Sequence, residues 1–262
     1  MENIEKKSLS ILNVILFLAT VAINALANVL PINGFKTGEV SAFYPNLFVP
    51  AGFTFAIWGV IYLGLTFFVL FQAGAFTKKE EQPLGLVADI GWLFVLSSLA
   101  NIAWIILWHY FFIPSTLIVM VVLLLSLISI NKVLEKRQDF SKREYWFVQV
   151  PFKIYLGWIS VATIANVAAV AVDLNWGRFG LSEMYWTITM IVVAGLLGFL
   201  SLYLKKEPFF TAVIVWALFG IVIRHITNFA FEYPAIIYLA IGVGVLLIIA
   251  ISVLVIRKIL KT

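Results

Sequence analysis

Cysteine is absent from the 262-residue chain, and charged residues are scarce, at 12% of the sequence. The lack of cysteine excludes disulfide bonds, thiolate metal sites and a cysteine nucleophile. A soluble globular protein carries about 25% charged residues, because its water-facing surface needs them. This chain cannot cover such a surface. With 63% hydrophobic residues, it is predicted to lie in a lipid bilayer.

The motifs of common enzyme classes are also missing. The chain has no HExxH zinc motif, no GxSxG nucleophile motif, no Walker loop and no cluster spaced like metal ligands. Its 18 Lys and Arg residues give a net charge of +5 but form no stripe or groove, which argues against nucleic acid as a partner. The sequence therefore predicts a membrane protein that is not an enzyme and requires no cofactor.

Eight apolar stretches are long enough to span a membrane, which takes roughly 20 residues for a hydrocarbon core about 30 Å thick. The predicted fold class is an all-α integral membrane protein, an eight-helix transmembrane bundle. The third and fourth stretches are joined by little more than Ile113-Pro114, which predicts a tight hairpin. The stretches are residues 9–30, 53–75, 90–112, 114–133, 150–172, 184–204, 209–229 and 235–256.

The distribution of Lys and Arg predicts the orientation. Fourteen of the 18 lie on one side, namely at both termini and in the loops after the second, fourth and sixth stretches. The opposite loops hold only Lys36 and Arg178, and we call that side the outer side. Because positively charged loops stay in the cytoplasm, the chain is predicted to be a multi-pass plasma-membrane protein with both termini cytoplasmic.

Four ionisable residues within or at the ends of the stretches could carry function, because intramembrane charge is costly. For Lys153, the favoured interpretation is a side chain that reaches back to the lipid headgroups. For Arg224 it is the same, or an ion pair with Glu232, with anion or propionate binding as the alternative. His109 and His225 are interpreted as hydrogen-bonding residues near the outer surface, with haem-iron ligation as the alternative.

The sequence is rich in aromatic residues, and three tryptophans lie well inside the stretches: Trp58, Trp104 and Trp158. Asn101 and Asn166 are also inside, and such polar side chains need partners in lipid. Two interpretations follow. Either these residues seal helix packing with hydrogen bonds, or they line an aromatic pocket for a planar apolar ligand.

The spacing of these residues resembles the tryptophan-rich sensory protein/translocator (TspO/MBR) family over roughly residues 9–176. In the fifth stretch, Trp158-Ile-Ser-Val-Ala-Thr-Ile-Ala-Asn166 is similar to the family's W-x-x-F-A-T-x-L-N. The other two matches are Asn101-Ile-Ala-Trp104 with Phe111-Phe112, similar to N-x-x-W with a nearby F-F, and Val49-Pro50-Ala-Gly continuing to Trp58-Gly-Val-Ile-Tyr62, similar to P-P…V-W-x-x-L-Y.

The chain departs from the family pattern in several places. The family has five helices, so the chain is predicted to combine a TspO/MBR-like bundle, residues 1–176, with three additional helices, residues 177–262. Val49 replaces the first proline of the Pro-Pro pair, and Gly52 or Phe53 replaces the tryptophan that follows it. The fifth-helix proline, Pro151, lies farther from its tryptophan than in the family. The missing indole weakens the expectation of light-dependent porphyrin breakdown, an activity of some bacterial members.

The resemblance implies a sensor or carrier that binds a porphyrin, a haem-like molecule or another planar hydrophobic ligand beneath the loop at about residues 31–50. Two alternatives remain open. One is a small-solute transporter, motivated by the added helices, Gly195, Gly198 and Arg224, and the other is a structural scaffold without a ligand. A homodimer is also left open. The ligand site implied by the resemblance consists of Trp58, Tyr62, Asn101, Trp104, Trp158, Ala162 and Asn166.

Overall fold

The computed structural model describes residues 3–75, 84–137 and 140–260. Lys78, Lys79 and Lys261, which contribute to the predicted topology, lie outside these residues. Within the described ranges all regular structure is helical, apart from one isolated bridge between Ile32 and Phe35. This agrees with the physics of the bilayer, in which a helix satisfies every backbone N–H and C=O within its own segment.

Eight of the helical stretches in the described residues are long and apolar enough to cross a membrane, which confirms the predicted fold class. A 3₁₀ turn, Gly52–Ala56, leads into α3, and π-helical turns at Tyr145–Gln149 and Ser201–Lys205 precede α7 and follow α8. The α-helices are α1 (Asn3–Val29), α2 (Thr37–Ala42), α3 (Ile57–Gln72), α4 (Leu84–His109), α5 (Ile113–Lys136), α6 (Lys142–Glu144), α7 (Val150–Asp173), α8 (Glu183–Leu200), α9 (Pro208–Thr227) and α10 (Pro234–Ile259).

The predicted hairpin between the third and fourth stretches is confirmed. α4 ends at His109 and α5 begins at Ile113, with Pro114 in its first turn, where the missing N–H removes no helical bond. Phe111 turns the chain in the left-handed region, with φ at 62°.

The fifth membrane-crossing stretch is longer than predicted and runs over Lys142–Asp173. Its start is a capping box. The Ser141 hydroxyl accepts from the Glu144 N–H at 3.2 Å, and the Glu144 carboxylate accepts from the Ser141 N–H at 2.9 Å. The prediction began at residue 150 because it followed the apolar window, and the capped first turn, Lys142–Glu144, is charged.

Contacts divide the chain into two compact units. The first comprises Met1–Phe43 and Trp58–Leu156, and the second comprises Tyr44–Ile57 and Gly157–Thr262. The border therefore passes through the loop between α2 and the 3₁₀ turn, through the start of α3 and through α7. The predicted division into residues 1–176 and 177–262 separates a family-like part from added helices. The two compact units do not test that division, so it stays a prediction.

In the first unit, α4 packs against α1 and α5. Phe68, Phe94 and Phe152 form a buried aromatic core, with ring centroids 4.9–5.9 Å apart. Gly91 lets α4 approach α1, because a Cβ there would lie 2.6 Å from the Leu9 side chain.

In the second unit, α10 packs against both α8 and α9. Gly195 on α8 lies against Val243 on α10, at a position where a Cβ would come within 2.6 Å of the valine. The Thr211 hydroxyl of α9 donates to the Gly198 carbonyl of α8 at 3.0 Å. Both glycines of α8 that motivated the transporter alternative therefore lie at helix–helix contacts, which is where small residues are common in membrane proteins.

Candidate functional site

A chain of buried amide hydrogen bonds crosses the first unit. The Asn24 side-chain N–H of α1 donates to Asn101 Oδ1 of α4 at 2.8 Å, and the Asn101 N–H donates to the Tyr155 hydroxyl of α7 at 2.9 Å. These three residues are 7%, 2% and 3% exposed, so water cannot take the place of a missing partner. The second Asn24 N–H donates to the Thr20 carbonyl at 2.9 Å. This arrangement fixes the position of Asn101 and Tyr155.

Two of the predicted ligand residues pack beside this network. Trp58 stacks on Tyr62, with ring centroids 5.4 Å apart and an interplanar angle of 21°. Trp58 also meets Tyr155 edge to face at 5.9 Å. Tyr155 thus joins Trp58 to Asn101, and Tyr62 is joined to the cluster by its stacking on Trp58. Both Trp58 and Tyr62 are partly exposed, so they retain surface that another molecule could contact.

The two phenols of this cluster have unused hydrogen-bonding capacity. The Tyr62 hydroxyl is buried and has no hydrogen-bond partner among the described residues. The Tyr155 hydroxyl accepts from Asn101, and no acceptor for its own proton is present in the described part of the chain. An unmade bond to a buried hydroxyl costs about 1–3 kcal/mol. The cluster is therefore suited to a ligand that brings an acceptor.

Trp104, the fourth predicted residue of this unit, stacks on Trp108 at 5.2 Å and 17°. Residues 30–57 lead from α1 into α3, and we call this segment the outer loop. Trp108 holds its first half, because the Trp108 indole N–H donates to the Thr37 carbonyl at 3.2 Å. The Thr37 hydroxyl lies 3.2 Å from His109 Nε2, and the Asn33 amide donates to the His109 carbonyl at 2.9 Å. Hence the end of α4 anchors this half of the loop.

The remaining three predicted residues, Trp158, Ala162 and Asn166, lie on α7 in the second unit. Trp158 and Asn166 are each 3% exposed, and Ala162 is partly exposed. Trp158 meets Phe55 of the 3₁₀ turn edge to face, with centroids 5.7 Å apart. Whether these three residues contact a ligand stays a prediction.

The second half of the outer loop, residues 44–57, is bonded to α8 and α9. His225 Nε2 carries the ring proton, because it bonds the Leu47 carbonyl oxygen, which can only accept. Gly220 allows α9 to lie close to this half of the loop, because a Cβ at Gly220 would overlap the Thr54 side chain. The bonds are Leu47 N–H to Glu183 Oε1 (2.9 Å), His225 Nε2–H to Leu47 O (2.9 Å), Ala51 N–H to Gly220 O (3.0 Å) and Trp216 Nε1–H to Thr54 O (2.8 Å).

The two intramembrane cations behave differently. Lys153 donates to the Gln149 side chain at 3.1 Å, one turn nearer the start of the helix, as expected for a side chain that reaches toward the headgroups. Arg224 forms no ion pair with Glu232, so that interpretation is wrong. Its guanidinium instead lies over the Phe229 ring at 5.7 Å.

Among the described residues, no group of three or more His, Asp or Glu side chains could hold a metal ion. Nε2 of each histidine is within hydrogen-bonding distance of the outer loop, which is what the first interpretation of His109 and His225 expects.

Burial raises the pKa of the Tyr44 phenol above its ordinary value, and the nearby charge of Asp173 adds to this, so the phenol stays neutral.

Two residues of the network were not predicted, Asn24 and Tyr155. Asn24 has a weak signal, since Thr20, Asn24 and Asn28 recur every four residues and each side chain bonds the carbonyl one turn before it. Such a stripe predicts which face of α1 is polar, but it does not predict which helix packs against that face. Tyr155 lies three residues before Trp158 and reads equally well as a tyrosine near the membrane interface.

Comparison with known proteins identifies a family that matches most of the chain. The sequence profile of a family described as TSPO-like protein matches residues 10–253. The matched region extends beyond residues 9–176 and includes the last three helices. Neither curated proteins nor solved structures give a significant match.

Proposed function

The chain belongs to the TSPO-like protein family, and from this premise we propose that it is a membrane-embedded sensor or carrier for a planar hydrophobic ligand such as a porphyrin. The observation that supports this most directly is the cluster of Trp58, Tyr62 and Tyr155 beside Asn101. It offers an aromatic surface for stacking and, among the described residues, a buried Tyr62 hydroxyl without a hydrogen-bond partner.

The chemistry of the cluster matches the chemistry of that ligand class. A porphyrin combines a flat apolar ring with carboxylate side chains, so it can stack on an indole and accept hydrogen bonds. In this proposal Trp58 provides the stacking surface, and Tyr62 donates to an acceptor on the ligand. Asn101 and Tyr155 position them. Trp104 lies in the same unit as this cluster, and Trp158, Ala162 and Asn166 on α7 stay candidate ligand residues of the second unit. No cofactor is required.

The test is titration of the purified protein in nanodiscs with protoporphyrin IX, followed by quenching of tryptophan fluorescence. We expect saturable quenching, and a loss of affinity of about tenfold in Trp58→Leu because the stacking surface is removed. Trp92→Leu is the matched control, since Trp92 is 61% exposed on α4. Equal affinity in the two variants would disprove the role of Trp58.

Tyr62→Phe separates ligand binding from packing. This change removes only a hydroxyl that has no hydrogen-bond partner among the described residues, so the melting temperature should stay the same or rise. If the hydroxyl bonds the ligand, the dissociation constant should increase by roughly 2- to 12-fold, which corresponds to one hydrogen bond. An unchanged dissociation constant would exclude this hydroxyl from the site.

The scaffold and transporter alternatives predict other outcomes. A scaffold would give no saturable quenching in any variant. A transporter would give flux of a small solute across reconstituted vesicles, which a binding protein does not require. We further propose that the chain lies in the plasma membrane with both termini in the cytoplasm, in agreement with its basic loops.

A further inference from the structure

An open groove lies on the first half of the outer loop, within the first unit. Its volume is about 470 Å³, which leaves room for a group much larger than a water molecule, whose share of liquid volume is about 30 Å³. Gly34, Phe35, Glu39, Ala42 and Phe43 line the groove. Among the described residues, its lining therefore combines two aromatic rings with one carboxylate and contains no basic side chain.

The rings of this groove belong to a group of three phenylalanines. Phe35 meets Phe43 edge to face, with centroids 5.3 Å apart and an interplanar angle of 88°. Both rings also meet Phe111 edge to face, with centroids 5.5 Å apart. Perpendicular rings form a corner in which a cation can approach the face of one ring, and ring faces attract cations within about 6 Å. Phe43 is 54% exposed, so its ring remains accessible to such a cation.

The carboxylate of Glu39 is held in place but is not neutralised. Glu39 Oε2 accepts from the Lys36 N–H at 2.7 Å, across the first turn of α2. Glu39 forms no ion pair within the described part of the chain, although Lys36 lies three positions before it. The exposed side chain of Lys36 is not part of the lining. The groove thus has a fixed negative charge beside apolar ring surface, and a positive charge is available nearby in the sequence.

The backbone around the groove is fixed by bonds to the end of α4. The Asn33 amide donates to the His109 carbonyl at 2.9 Å, and the Trp108 indole donates to the Thr37 carbonyl at 3.2 Å. Between these two bonds Gly34 turns the chain with φ at 84°, a conformation that residues with a Cβ rarely adopt. The loop is therefore ordered before any ligand arrives, which lowers the entropy cost of binding.

The groove lies beside the point where two membrane-crossing stretches end. Phe111 belongs to the turn between α4 and α5, and its neighbours Tyr110 and Phe112 are both more than half exposed. Exposed aromatic residues at the ends of spans are typical of the lipid headgroup region. The molecules that reach the groove at this level of the membrane are therefore lipid headgroups.

We propose that this groove binds the quaternary ammonium headgroup of a choline lipid. Its trimethylammonium group is apolar on the outside and positively charged, so it can lie against Phe35 and Phe43 while Glu39 balances its charge. A primary ammonium is strongly hydrated and loses more on leaving water. Lys36 provides the opposite charge for the phosphodiester of the same lipid. These residues are separate from the cluster of Trp58, Tyr62 and Tyr155, so the inference does not depend on the porphyrin proposal.

The test follows the melting temperature of the full-length protein in maltoside micelles as dioleoylphosphatidylcholine is added. We expect a saturable rise of about 3 °C at tenfold excess over the mole fraction that gives half-saturation. Dioleoylphosphatidylethanolamine has the same acyl chains and phosphodiester but a primary ammonium, so it should give a smaller rise. Equal rises with the two lipids would show that the methyl groups are not recognised and would overturn the proposal.

Two variants test the named side chains. Glu39→Gln and Phe43→Leu should each raise the half-saturating mole fraction of phosphatidylcholine by roughly 2- to 5-fold, because each removes one attraction to the cation. Glutamine can still accept from the Lys36 N–H, so the start of α2 is retained. The matched controls are Glu232→Gln, an exposed carboxylate of the second unit, and Phe199→Leu, a ring that is 53% exposed on α8. Both controls should behave like the wild type.

Choline chloride, added at constant ionic strength, separates a lipid from a soluble cation. Lys36→Gln should weaken the response to phosphatidylcholine and should not weaken the response to choline, which has no phosphate. If choline chloride raises the melting temperature and phosphatidylcholine does not, the occupant is a soluble cation and the lipid assignment is wrong. The proposal fails entirely if neither probe gives a saturable shift, or if Glu39→Gln and Phe43→Leu both respond like the wild type.

Discussion

The amide of Asn101 shows how few residues fix a bundle that has almost no charge. One side chain accepts from α1 and donates to α7, and both bonds are buried. In a bilayer the apolar side chains do not distinguish one neighbour from another, because lipid is as apolar as they are. Paired amides and phenols do distinguish one neighbouring helix from another, because only one arrangement of the helices satisfies their hydrogen bonds.

Replacing Asn101 with leucine should therefore destabilise the first unit. The change removes two side-chain bonds and leaves the Asn24 amide short of an acceptor, so we expect a loss of about 1–3 kcal/mol in unfolding free energy. The measurement is unfolding in mixed micelles. Asn28→Leu is the control, because Asn28 is exposed and bonds only the carbonyl of Asn24 in its own helix. Equal losses would show that the network contributes nothing specific.

At the scale of helices, close approach depends on small residues. Gly91 on α4 lies against Leu9 and Asn13 of α1, and a Cβ there would come within 2.6 Å of the leucine. Gly195 plays the same part between α8 and α10. The outer loop is held differently, mostly by bonds to its backbone.

Gly91→Ala should force α1 and α4 apart and cost about 1–3 kcal/mol of stability, as overpacking does in tight cores. Gly85→Ala on the same helix should be neutral or stabilising by up to about 1 kcal/mol, since no atom lies within 4 Å of a Cβ there and alanine favours helix. Thermal unfolding of both variants checks the pair. A neutral Gly91→Ala would contradict the contact.

Trp216→Phe tests the attachment of residues 44–57. It removes the indole N–H that donates to Thr54 O but keeps an aromatic ring beside Phe53, so the helix should remain packed. We expect amide exchange in the loop to become roughly 2- to 10-fold faster, the effect of one lost hydrogen bond. Hydrogen–deuterium exchange measures this, with Trp92→Phe as the control. Unchanged exchange would mean that the bond does not hold the loop.

The sequence predicts elements better than contacts. Apolar length and the Ile113-Pro114 dipeptide were sufficient for eight spans and the α4–α5 hairpin. The capped start at Ser141 was missed because it is polar, and Asn24 because an amide stripe does not name its partner. The loop contacts could not be predicted, since Leu47, Ala51 and Thr54 use backbone atoms that are the same in every residue.

For the molecule as a whole, the basic loops define a topology that can be tested directly. A cysteine-free chain allows single cysteines to be introduced without a background signal. Gly177→Cys lies in the loop between α7 and α8, where a side chain meets no atom within 4 Å, and Lys258→Cys lies at the end of α10.

A membrane-impermeant maleimide should label Gly177→Cys in intact cells and leave Lys258→Cys unlabelled until the membrane is opened. This follows from the excess of Lys and Arg on the side that holds both termini. Labelling of Lys258→Cys in intact cells would show that the chain has the opposite orientation. Labelling of both variants would contradict the three crossings, α8, α9 and α10, that separate Gly177 from Lys258.

The outer loop changes from one compact unit to the other between Phe43 and Tyr44. On one side of that bond Thr37 is attached to the end of α4, and on the other side Leu47 is attached to α8 and α9. A protease that cuts there would therefore release neither half. The nicked protein should keep its melting temperature, and fragments 1–43 and 44–262 produced together should reassemble, because α1 keeps its Asn24–Asn101 bond after the cut.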